Sequence, residues 1–386
     1  METHSTDHQI HLQFFDQHAR LCSDSPGYID LFNRMYQRFI TDPHHGSSSS
    51  PLEFRVQTDS KCSSDIPLLV LDDQVFPLRH PSLMEGYVYD TILNTILSKV
   101  SSHFLIHAGA VSKNDQGMIL MADSGHGKTT LVLELVRRGF HFLSDEMAAI
   151  GRRDRLVHPF PRSLRIMPQT LAMTGYDDAG HTATMWYDKL LLDIDSIKPG
   201  CLGKKVPIGN IVLLQDPRHP DQEKAVKYGK KLFIQVDQID ALFLKRIRSM
   251  RAVRNLELDF DSDFPWIIIQ TDEPDATLKK VELLCKAHNT FLLNYIRKKE
   301  TRPKFDTKPM LETISTSQAA LILLRRFLGG NQSALLTEVF DNRSLQLYME
   351  LAELISDAAC HRLFVGPLGD MADIVSMLSD TDGAVQ

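Results

Sequence analysis

The chain has 386 residues, of which 43% are hydrophobic and 24% are charged. These proportions are typical of globular proteins and exclude a mainly disordered or fibrous chain. The net charge of −6, from 43 Lys and Arg against 49 Asp and Glu, argues against binding nucleic acid through a basic surface. No apolar run approaches the roughly 18–20 residues that span a bilayer. The first residues also lack the pattern of a secretory signal, so we expect no membrane partner.

The cysteines favour a reducing compartment. Their number is odd, they are far apart and no C-x-x-C pair occurs, which argues against a disulfide framework or a thiolate zinc site. We therefore predict reduced thiols in a cytoplasmic protein. The five cysteines are Cys22, Cys62, Cys201, Cys285 and Cys360.

Residues 1–98 are predicted to form an N-terminal accessory region. Asp42–Pro51 contains Pro, Gly and four consecutive Ser, which indicates a flexible loop. Alternating and apolar runs predict strands at 53–57 and 66–78, and helical spacing predicts a helix over 85–100.

From about Ser102 the pattern changes to strand, turn, strand, loop, helix and strand. The apolar runs at 103–112 and 118–122 predict the first two strands. Leu131 and Leu135 lie four apart on the predicted helix, and Gly139 follows it as a C-cap. A further strand ends in Asp145 and Glu146.

The later part of the chain has weaker signals. Residues 220–310 are unusually charged, and we predict that they form an ordered insertion with a strand at Trp266–Gln270 and a helix near 275–297. The periodicity of 317–363 predicts a helical C-terminal part. The remaining predictions are an extended stretch at 156–166, a loop at 174–186 and strands at 189–197 and 207–216.

The strongest motif is Ala122–Thr129, which fits the P-loop pattern with Ala in place of the first Gly. In such a loop, glycines let backbone N–H groups turn towards phosphate oxygens, and the following helix adds its positive end. The lysine reaches the β- and γ-phosphates, and the next hydroxyl binds Mg²⁺. The motif follows an apolar strand and opens a helix, as a P-loop requires. The predicted nucleotide-binding residues are Ser124, Gly125, His126, Gly127, Lys128, Thr129 and Thr130.

Asp145 and Glu146 form a second candidate feature, only 17 residues after Lys128. Neighbouring strand ends in an open α/β sheet meet in one crevice, so we expect this acidic pair beside the phosphate loop. One carboxylate could accept a proton from an attacking hydroxyl, and the other could hold Mg²⁺. The simpler alternative is a solvated strand end.

The stretch IHAGAV…MADSGHGKTTLVLELVRRGFHFLSDE resembles the catalytic core of HPr kinase/phosphorylase over about 104–150. The resemblance continues more weakly through HPFPRSLRI and KLLLDIDSI. It implies an α/β fold: a P-loop kinase core with a mixed sheet, like those of HPr kinase and PEP carboxykinase. This core would occupy 99–386, interrupted by the charged insertion and followed by a helical C-terminal part.

The same resemblance implies roles for individual residues. Lys128 would bind the transferring phosphate, Thr129 would bind Mg²⁺, and Asp145 would be the general base. Glu146 would support the metal or the acceptor, and His107 would lie near the phosphates. Two residues depart from the family pattern: Thr130 replaces a Glu and Glu146 replaces the second Asp. The family's later Glu- and Arg-containing signature is not found, so transfer from a nucleotide is better supported than the reverse phosphorylase reaction.

Several other features have two interpretations. Arg162 and Arg165 could neutralise phosphate charge or contact the acceptor, or they could belong to a solvated strand face. The cations of Lys245–Arg254 could form a solvated helix face or a docking surface for an acidic peptide. Trp186 and Tyr187 could anchor a loop or recognise substrate.

These observations predict a kinase that uses ATP and Mg²⁺ to phosphorylate a hydroxyl, with Ser or Thr of a peptide or protein as the leading acceptor. By family analogy, the leading subtype is a kinase that tailors a ribosomally made peptide. One alternative is a kinase of a small-molecule hydroxyl. The other is a nucleotide-dependent switch that transfers no phosphate. The sequence leaves homo-oligomer formation open.

Overall fold

A computed structural model describes residues 8–42, 50–58, 68–71, 74–77, 81–123, 125–186, 189–217, 228–259, 266–288, 290, 292–299, 303–327 and 342–381. Most of the predicted Asp42–Pro51 loop lies outside these residues, as do Ser124, Tyr187 and Cys62. The other four cysteines are buried and free. No helix in the described part of the chain is long and apolar enough to span a membrane.

Strands and helices alternate through most of the described chain. The strands are β1 His8–Phe14, β2 Gln17–Ser23, β3 Leu52–Gln57, β4 Leu68–Leu71, β5 Gln74–Pro77, β6 His103–Ile106, β7 Gly109–Lys113, β8 Gln116–Ala122, β9 His141–Ser144, β10 Ala148–Gly151, β11 Leu156–His158, β12 Leu164–Ile166, β13 Thr184–Trp186, β14 Lys189–Leu192, β15 Val206–Gln215, β16 Tyr228–Val236, β17 Val253–Asp259, β18 Trp266–Thr271, β19 Leu292–Lys299, β20 Met310–Thr313 and β21 Ala359–Phe364. The α-helices are α1 Pro26–Tyr36, α2 Pro81–Lys99, α3 Lys128–Arg137, α4 Pro168–Thr174, α5 Ile194–Ile197, α6 Ala241–Arg248, α7 Pro274–Ala287, α8 Thr316–Arg325, α9 Asn342–Leu354 and α10 Leu368–Thr381. Two 3₁₀ helices lie at Gln37–Phe39 and Asp177–Thr182.

The central sheet is mixed, with the order β6-β10-β11-β15-β8-β7-β9, and β21 and β20 extend it beside β15. Strands β8, β15 and β21 are parallel, and Leu214 on β15 lies between Ala122 and Leu363. Strand β7 runs antiparallel between β8 and β9. The carboxyl ends of β8, β9, β15 and β21 therefore face the same way, towards what we call the loop end of the sheet.

Helices cover both faces of this sheet because its strands are apolar on both sides. On β8, Leu120 packs against the face covered by α3 and α10, whereas Ile119 and Met121 pack against α8 and α9. The architecture is thus mixed α/β.

The N-terminal residues form the five-stranded sheet β1-β2-β3-β4-β5 with helices α1 and α2. Their buried side chains share one hydrophobic cluster with Met147, Ala149, Phe160 and Trp186 from the central part of the chain. The N-terminal region therefore packs directly against the segment that follows β9.

The charged insertion contains a complete β-α-β-β-α-β unit from β16 to β19. Its antiparallel strand order is β17-β18-β16-β19, the arrangement of a ferredoxin-like split βαβ fold. Leu232, Ile234, Phe243, Ile269 and Val281 belong to its own hydrophobic cluster. The insertion is thus an ordered unit with a separate core.

Three sequence predictions were wrong in extent. The helix expected to reach 297 ends at Ala287, and Leu292–Lys299 is a strand because it pairs with β16. The helical prediction for 317–363 fails at Ala359–Phe364, a strand held between β15 and β20. The strand predicted over 189–197 ends at Leu192, because Asp193 accepts a hydrogen bond from the Asp195 N–H and starts α5.

Two further predictions differ in detail. The apolar run 103–112 is divided into β6 and β7 rather than forming a single strand. The loop expected at 174–186 contains a 3₁₀ helix and strand β13.

Gly109 on β7 gives a direct test of how closely helix α3 packs on the sheet. A Cβ atom at this position would lie 2.8 Å from Val132 Cγ2 and 3.5 Å from the Ser144 carbonyl oxygen. Because such overpacking forces neighbours to shift, we expect Gly109→Ala to lower the free energy of unfolding by about 1–3 kcal/mol. Urea denaturation measures this. Gly369→Ala is the control, since its Cβ would meet nothing within 4 Å. If the free energy of unfolding falls equally in both variants, α3 does not pack this closely on β7.

Candidate active site

The motif Ala122–Thr129 forms a glycine loop between β8 and α3. Gly125 and Gly127 have φ angles of +82° and +80°, a left-handed conformation that side chains disfavour. The Gly127 carbonyl accepts the first hydrogen bond of α3, from the Leu131 N–H at 2.8 Å. The loop thus ends directly at the positive end of a ten-residue helix, where an anion is stabilised.

The acidic pair lies at the same loop end. β9 ends at Ser144, whose hydroxyl accepts a hydrogen bond from the Met147 N–H at 3.0 Å and so fixes the turn. The Lys128 ammonium donates a hydrogen bond to the Asp145 carbonyl oxygen. However, β8 and β9 are not neighbours as we expected, because β7 lies between them.

Asp145 is almost completely buried, at 2% exposure, and its Oδ1 has no hydrogen-bond partner among the described residues. Burial raises the pKa of Asp145, and the negative charge of Glu146 adds to that rise. The positive charges of Arg162 and Lys128 oppose it, without reversing it. Asp145 is therefore a carboxyl group that binds a proton more readily than an exposed one.

Glu146 has the opposite character. Its carboxylate lies 3.2 Å from Arg162 Nη2 and 3.6 Å from His107 Nδ1, and over a third of the side chain is exposed. Partial burial works to raise its pKa, but the charges of Arg162 and Lys128 outweigh that effect and lower the pKa to about 2. Glu146 is therefore ionised at neutral pH, beside a neighbour that holds protons more strongly.

His107 lies at this site too, as the sequence predicted. Partial burial and the positive charge of Lys128 lower its pKa to about 4, so it is neutral at pH 7. Its backbone N–H donates to the Arg326 carbonyl at 2.8 Å. The side chain of Arg326 donates to the Ala122 carbonyl at 2.6 Å and to Asp123 Oδ1 at 2.8 Å. Arg326 thus holds the start of the glycine loop, a role that no local motif signals.

Arg162 and Arg165 differ in their surroundings. Arg162 is 4% exposed and lies against Glu146, so it is not part of a solvated face. The Arg165 guanidinium lies over the rings of Trp186, at 5.4 Å, and Tyr89, at 5.9 Å. Trp186 itself is buried in the hydrophobic cluster of the N-terminal region.

The predicted Mg²⁺ ligands were Thr129, Asp145 and Glu146. The described residues contain no group of three or more His, Cys, Asp or Glu that could hold a metal ion. A magnesium site beside nucleotide phosphates needs fewer protein ligands, because phosphates and water complete the shell. Thr129 on the first turn of α3 and the partly exposed carboxylate of Glu146 fit such a site.

Two further residues at the loop end were not predicted. Asp216 directly follows β15 and is 2% exposed; the run IVLLQD, a buried strand ending in Asp, could have indicated it. The ring of Phe305 lies 3.5 Å from where a Cβ of Gly127 would stand, and 37% of Phe305 is exposed. Phe305 comes from the segment that leaves the insertion, so only the fold brings it to the loop.

The described chain is thus a mixed α/β protein with a glycine loop and an acidic pair at one end of its sheet. No protein-family profile matches the chain. It is 23% identical over 220 residues to the HPr kinase/phosphorylase of Limosilactobacillus reuteri (strain DSM 20016), which covers 54% of this chain and 67% of the relative. The same values hold for the HPr kinase/phosphorylase of Limosilactobacillus reuteri subsp. reuteri (strain JCM 1112). The resemblance inferred from residues 104–150 is therefore confirmed as a distant relationship to HPr kinase/phosphorylase.

A solved structure also aligns with part of the chain. The Hpr(Ser) kinase/phosphatase from Coxiella burnetii covers 48% of this chain and 95% of its own length, with 13% identity and a TM-score of 0.21. At this TM-score the structural likeness adds nothing to the sequence relationship.

The pKa of His107 tests whether the Lys128 ammonium lies beside it. We expect ring NMR to show a pKa near 4 in the native protein and a rise towards 6.5 in Lys128→Met, because a positive neighbour is removed. Lys113→Met is the matched control, since Lys113 lies at the other end of β7 and pairs with Asp380. An unchanged His107 pKa in Lys128→Met would mean that the two side chains are not close in solution.

Proposed function

We propose that this chain is a kinase that transfers the γ-phosphoryl group of ATP to a hydroxyl, with Ser or Thr of a peptide or protein as the acceptor. One observation carries the proposal: Lys128 of the glycine loop contacts the backbone of Asp145, whose buried carboxyl Oδ1 has no partner among the described residues. A phosphate-binding lysine and a base for a hydroxyl proton are the two groups that such a transfer needs. The distant relationship to HPr kinase/phosphorylase supports the same activity, and the free thiols suit a cytoplasmic setting.

In this proposal the glycine loop binds the nucleotide. Backbone N–H groups from Gly125 to Thr130 and the positive end of α3 face the phosphates, and Lys128 neutralises the β- and γ-phosphates. Thr129 and Glu146 would hold Mg²⁺, which neutralises phosphate charge when bound. Arg326 keeps the loop in shape through its two hydrogen bonds to Ala122 and Asp123.

Asp145 then acts as the general base. The acceptor hydroxyl gives its proton to the Asp145 carboxylate while its oxygen forms a bond to the γ-phosphorus. The bond from the γ-phosphorus to the bridging oxygen breaks, and ADP leaves with that electron pair. A raised pKa suits this role, because a base works best when its pKa approaches the working pH. Glu146 stays ionised beside Arg162, and Arg162 and Arg165 add positive charge near the transferring group.

The insertion supports a macromolecular acceptor. It follows β15, whose carboxyl end lies at the loop end, and the chain returns past the glycine loop at Phe305. A unit with a core of its own, connected on both sides at the reaction site, suits recognition of a peptide or protein better than of a metabolite.

The main test is Asp145→Asn. We expect phosphoryl transfer to fall by about 10²–10⁴-fold, because the general base is lost. ATP affinity should stay within about threefold, because the phosphate contacts of the loop remain. Purified protein is incubated with Mg²⁺, γ-labelled ATP, and cell lysate or candidate peptides, and the label is followed by mass spectrometry. Lys128→Ala serves as the negative control. Asp154→Asn is the matched carboxylate control, since Asp154 pairs with His158 and Lys205 instead.

Each outcome of this test decides between the proposal and its alternatives. Label on a peptide Ser or Thr that disappears in Lys128→Ala supports the proposal. Label found only on a small molecule would change the acceptor class. Label released only as inorganic phosphate, whatever acceptor is added, would contradict the kinase and favour a nucleotide-dependent switch.

Phe305 gives a second prediction, on nucleotide affinity. Because its partly exposed ring lies against the glycine loop, we expect it to stack on the base or ribose of a bound nucleotide. Loss of such stacking weakens binding by about 1–3 kcal/mol, so Phe305→Ala should raise the Kd of ATP by roughly tenfold in calorimetry. Tyr295→Ala removes another exposed aromatic ring, from strand β19 of the insertion, and should leave the Kd unchanged. The same Kd in both variants would contradict this role.

A further inference from the structure

A chain of buried polar contacts starts in the N-terminal region. Tyr36 ends α1 and Tyr89 lies on α2, and both side chains are completely buried. Their hydroxyl oxygens are 2.6 Å apart, and their rings stack with a 6.0 Å separation and an 11° angle. Burying a hydroxyl in an apolar cluster costs free energy unless it forms hydrogen bonds. The two hydroxyls contact each other, and a further polar group lies beside Tyr89.

This polar group is Arg162. Its Nη1 donates to the Tyr89 hydroxyl oxygen at 3.3 Å, while its Nη2 lies 3.2 Å from Glu146 Oε2. Among the described residues, Tyr89 is the one hydrogen-bond acceptor of this buried guanidinium, and Arg162 Nε has none. The guanidinium is therefore held between a tyrosine on one side and the acidic pair on the other.

The segment around Arg162 is fixed to the same N-terminal helix. The Ser163 N–H donates to the Met35 carbonyl at 2.9 Å, and the Ser163 hydroxyl donates to the Arg34 carbonyl. Arg165, two residues further on, lies over the Tyr89 ring. Backbone and side-chain contacts thus join α1 and α2 to the segment that runs from Arg162 into strand β12.

We propose that Tyr89, supported by Tyr36, is a positioning residue that sets the Arg162 guanidinium against Glu146, so that the N-terminal helices are part of the catalytic unit. The inference rests on the proposed kinase function for its effect on the reaction. The contacts themselves do not depend on that function. Tyr89 acts through Arg162, because the Arg162 guanidinium lies between the Tyr89 hydroxyl and the Glu146 carboxylate.

Other charges also lie near the acidic pair. They are Lys128, His107, Arg165 and Asp90. Tyr89→Phe alters none of them and keeps the ring. It removes the hydroxyl that accepts from Arg162 and contacts Tyr36.

We expect Tyr89→Phe to lower kcat by about 10-fold or more, because a buried charged group loses its hydrogen-bond partner. The KM for ATP should hardly change, since the glycine loop is untouched. Arg162→Lys should also lower kcat with little change in KM, because a lysine lacks the planar fork that contacts the Tyr89 hydroxyl and Glu146 at once.

The control is Tyr28→Phe, which removes a hydroxyl from the same hydrophobic cluster. It should leave kcat unchanged. If Tyr89→Phe lowers the melting temperature and the yield of active protein but leaves the kcat of the folded protein unchanged, Tyr89 has only a structural role and the inference fails.

A second experiment needs neither nucleotide nor acceptor. In urea denaturation, Tyr89→Phe and Glu146→Gln should have non-additive effects on the midpoint, because both groups contact the same guanidinium. Tyr28→Phe and Glu146→Gln should be additive. Additive effects for the first pair would overturn the inference, even if the kinase assay succeeds. If the native protein transfers no phosphate but Tyr89→Phe and Glu146→Gln are non-additive, the proposed function is wrong. The contacts from Tyr89 through Arg162 to Glu146 are then still supported.

Discussion

The candidate site depends on the contact between the Lys128 ammonium and the Asp145 carbonyl, which joins two strand ends that are not neighbours in the sheet. An antiparallel strand, β7, fills the space between β8 and β9. The contact is possible because β7 begins with Gly109, where even a methyl group would meet Val132 and the Lys128 side chain. The geometry of the loop, the placement of the acidic pair and the surroundings of His107 all follow from this close approach.

The two adjacent carboxyl groups differ mainly because Asp145 is almost completely buried, whereas Glu146 is partly exposed. Asp145 is buried beside a negative neighbour, which disfavours its charged form, whereas Glu146 lies against Arg162, which favours it. Adjacent residues after one strand thereby acquire different protonation behaviour without any difference in chemical type. Such a division is common where one group exchanges protons and the other supplies fixed charge.

The sequence predicted the local features of this site and missed the distant ones. The glycine loop, Lys128, Asp145, Glu146 and His107 lie within 40 residues of each other, and their spacing fixes which strand ends carry them. Arg326 and Phe305 reach the loop only through the fold and belong to no motif. The tyrosine pair behind Arg162 was missed because hydroxyls inside a helix pattern read as ordinary core positions.

The errors in secondary structure have the same origin. Ala359–Phe364 and Leu292–Lys299 are strands because a partner strand far away in the chain binds them, and this outweighs their local periodicity. Conversely, Asp193 ends a predicted strand through a local hydrogen bond that apolar periodicity does not detect.

The position of β21 has a consequence for how the protein is made. Strand β15 pairs with β21 from Asn210 to Gln215, so this part of one edge of β15 stays unpaired until β21 has been synthesised. The insertion between these strands has its own hydrophobic core, so it can fold before the central sheet is complete. During synthesis, therefore, the folded insertion is attached to a strand whose edge is not yet paired. Unpaired strand edges can pair with other chains. We expect the nascent chain to depend on chaperones mainly between the synthesis of β15 and that of β21, before the glycine loop has all of its native contacts.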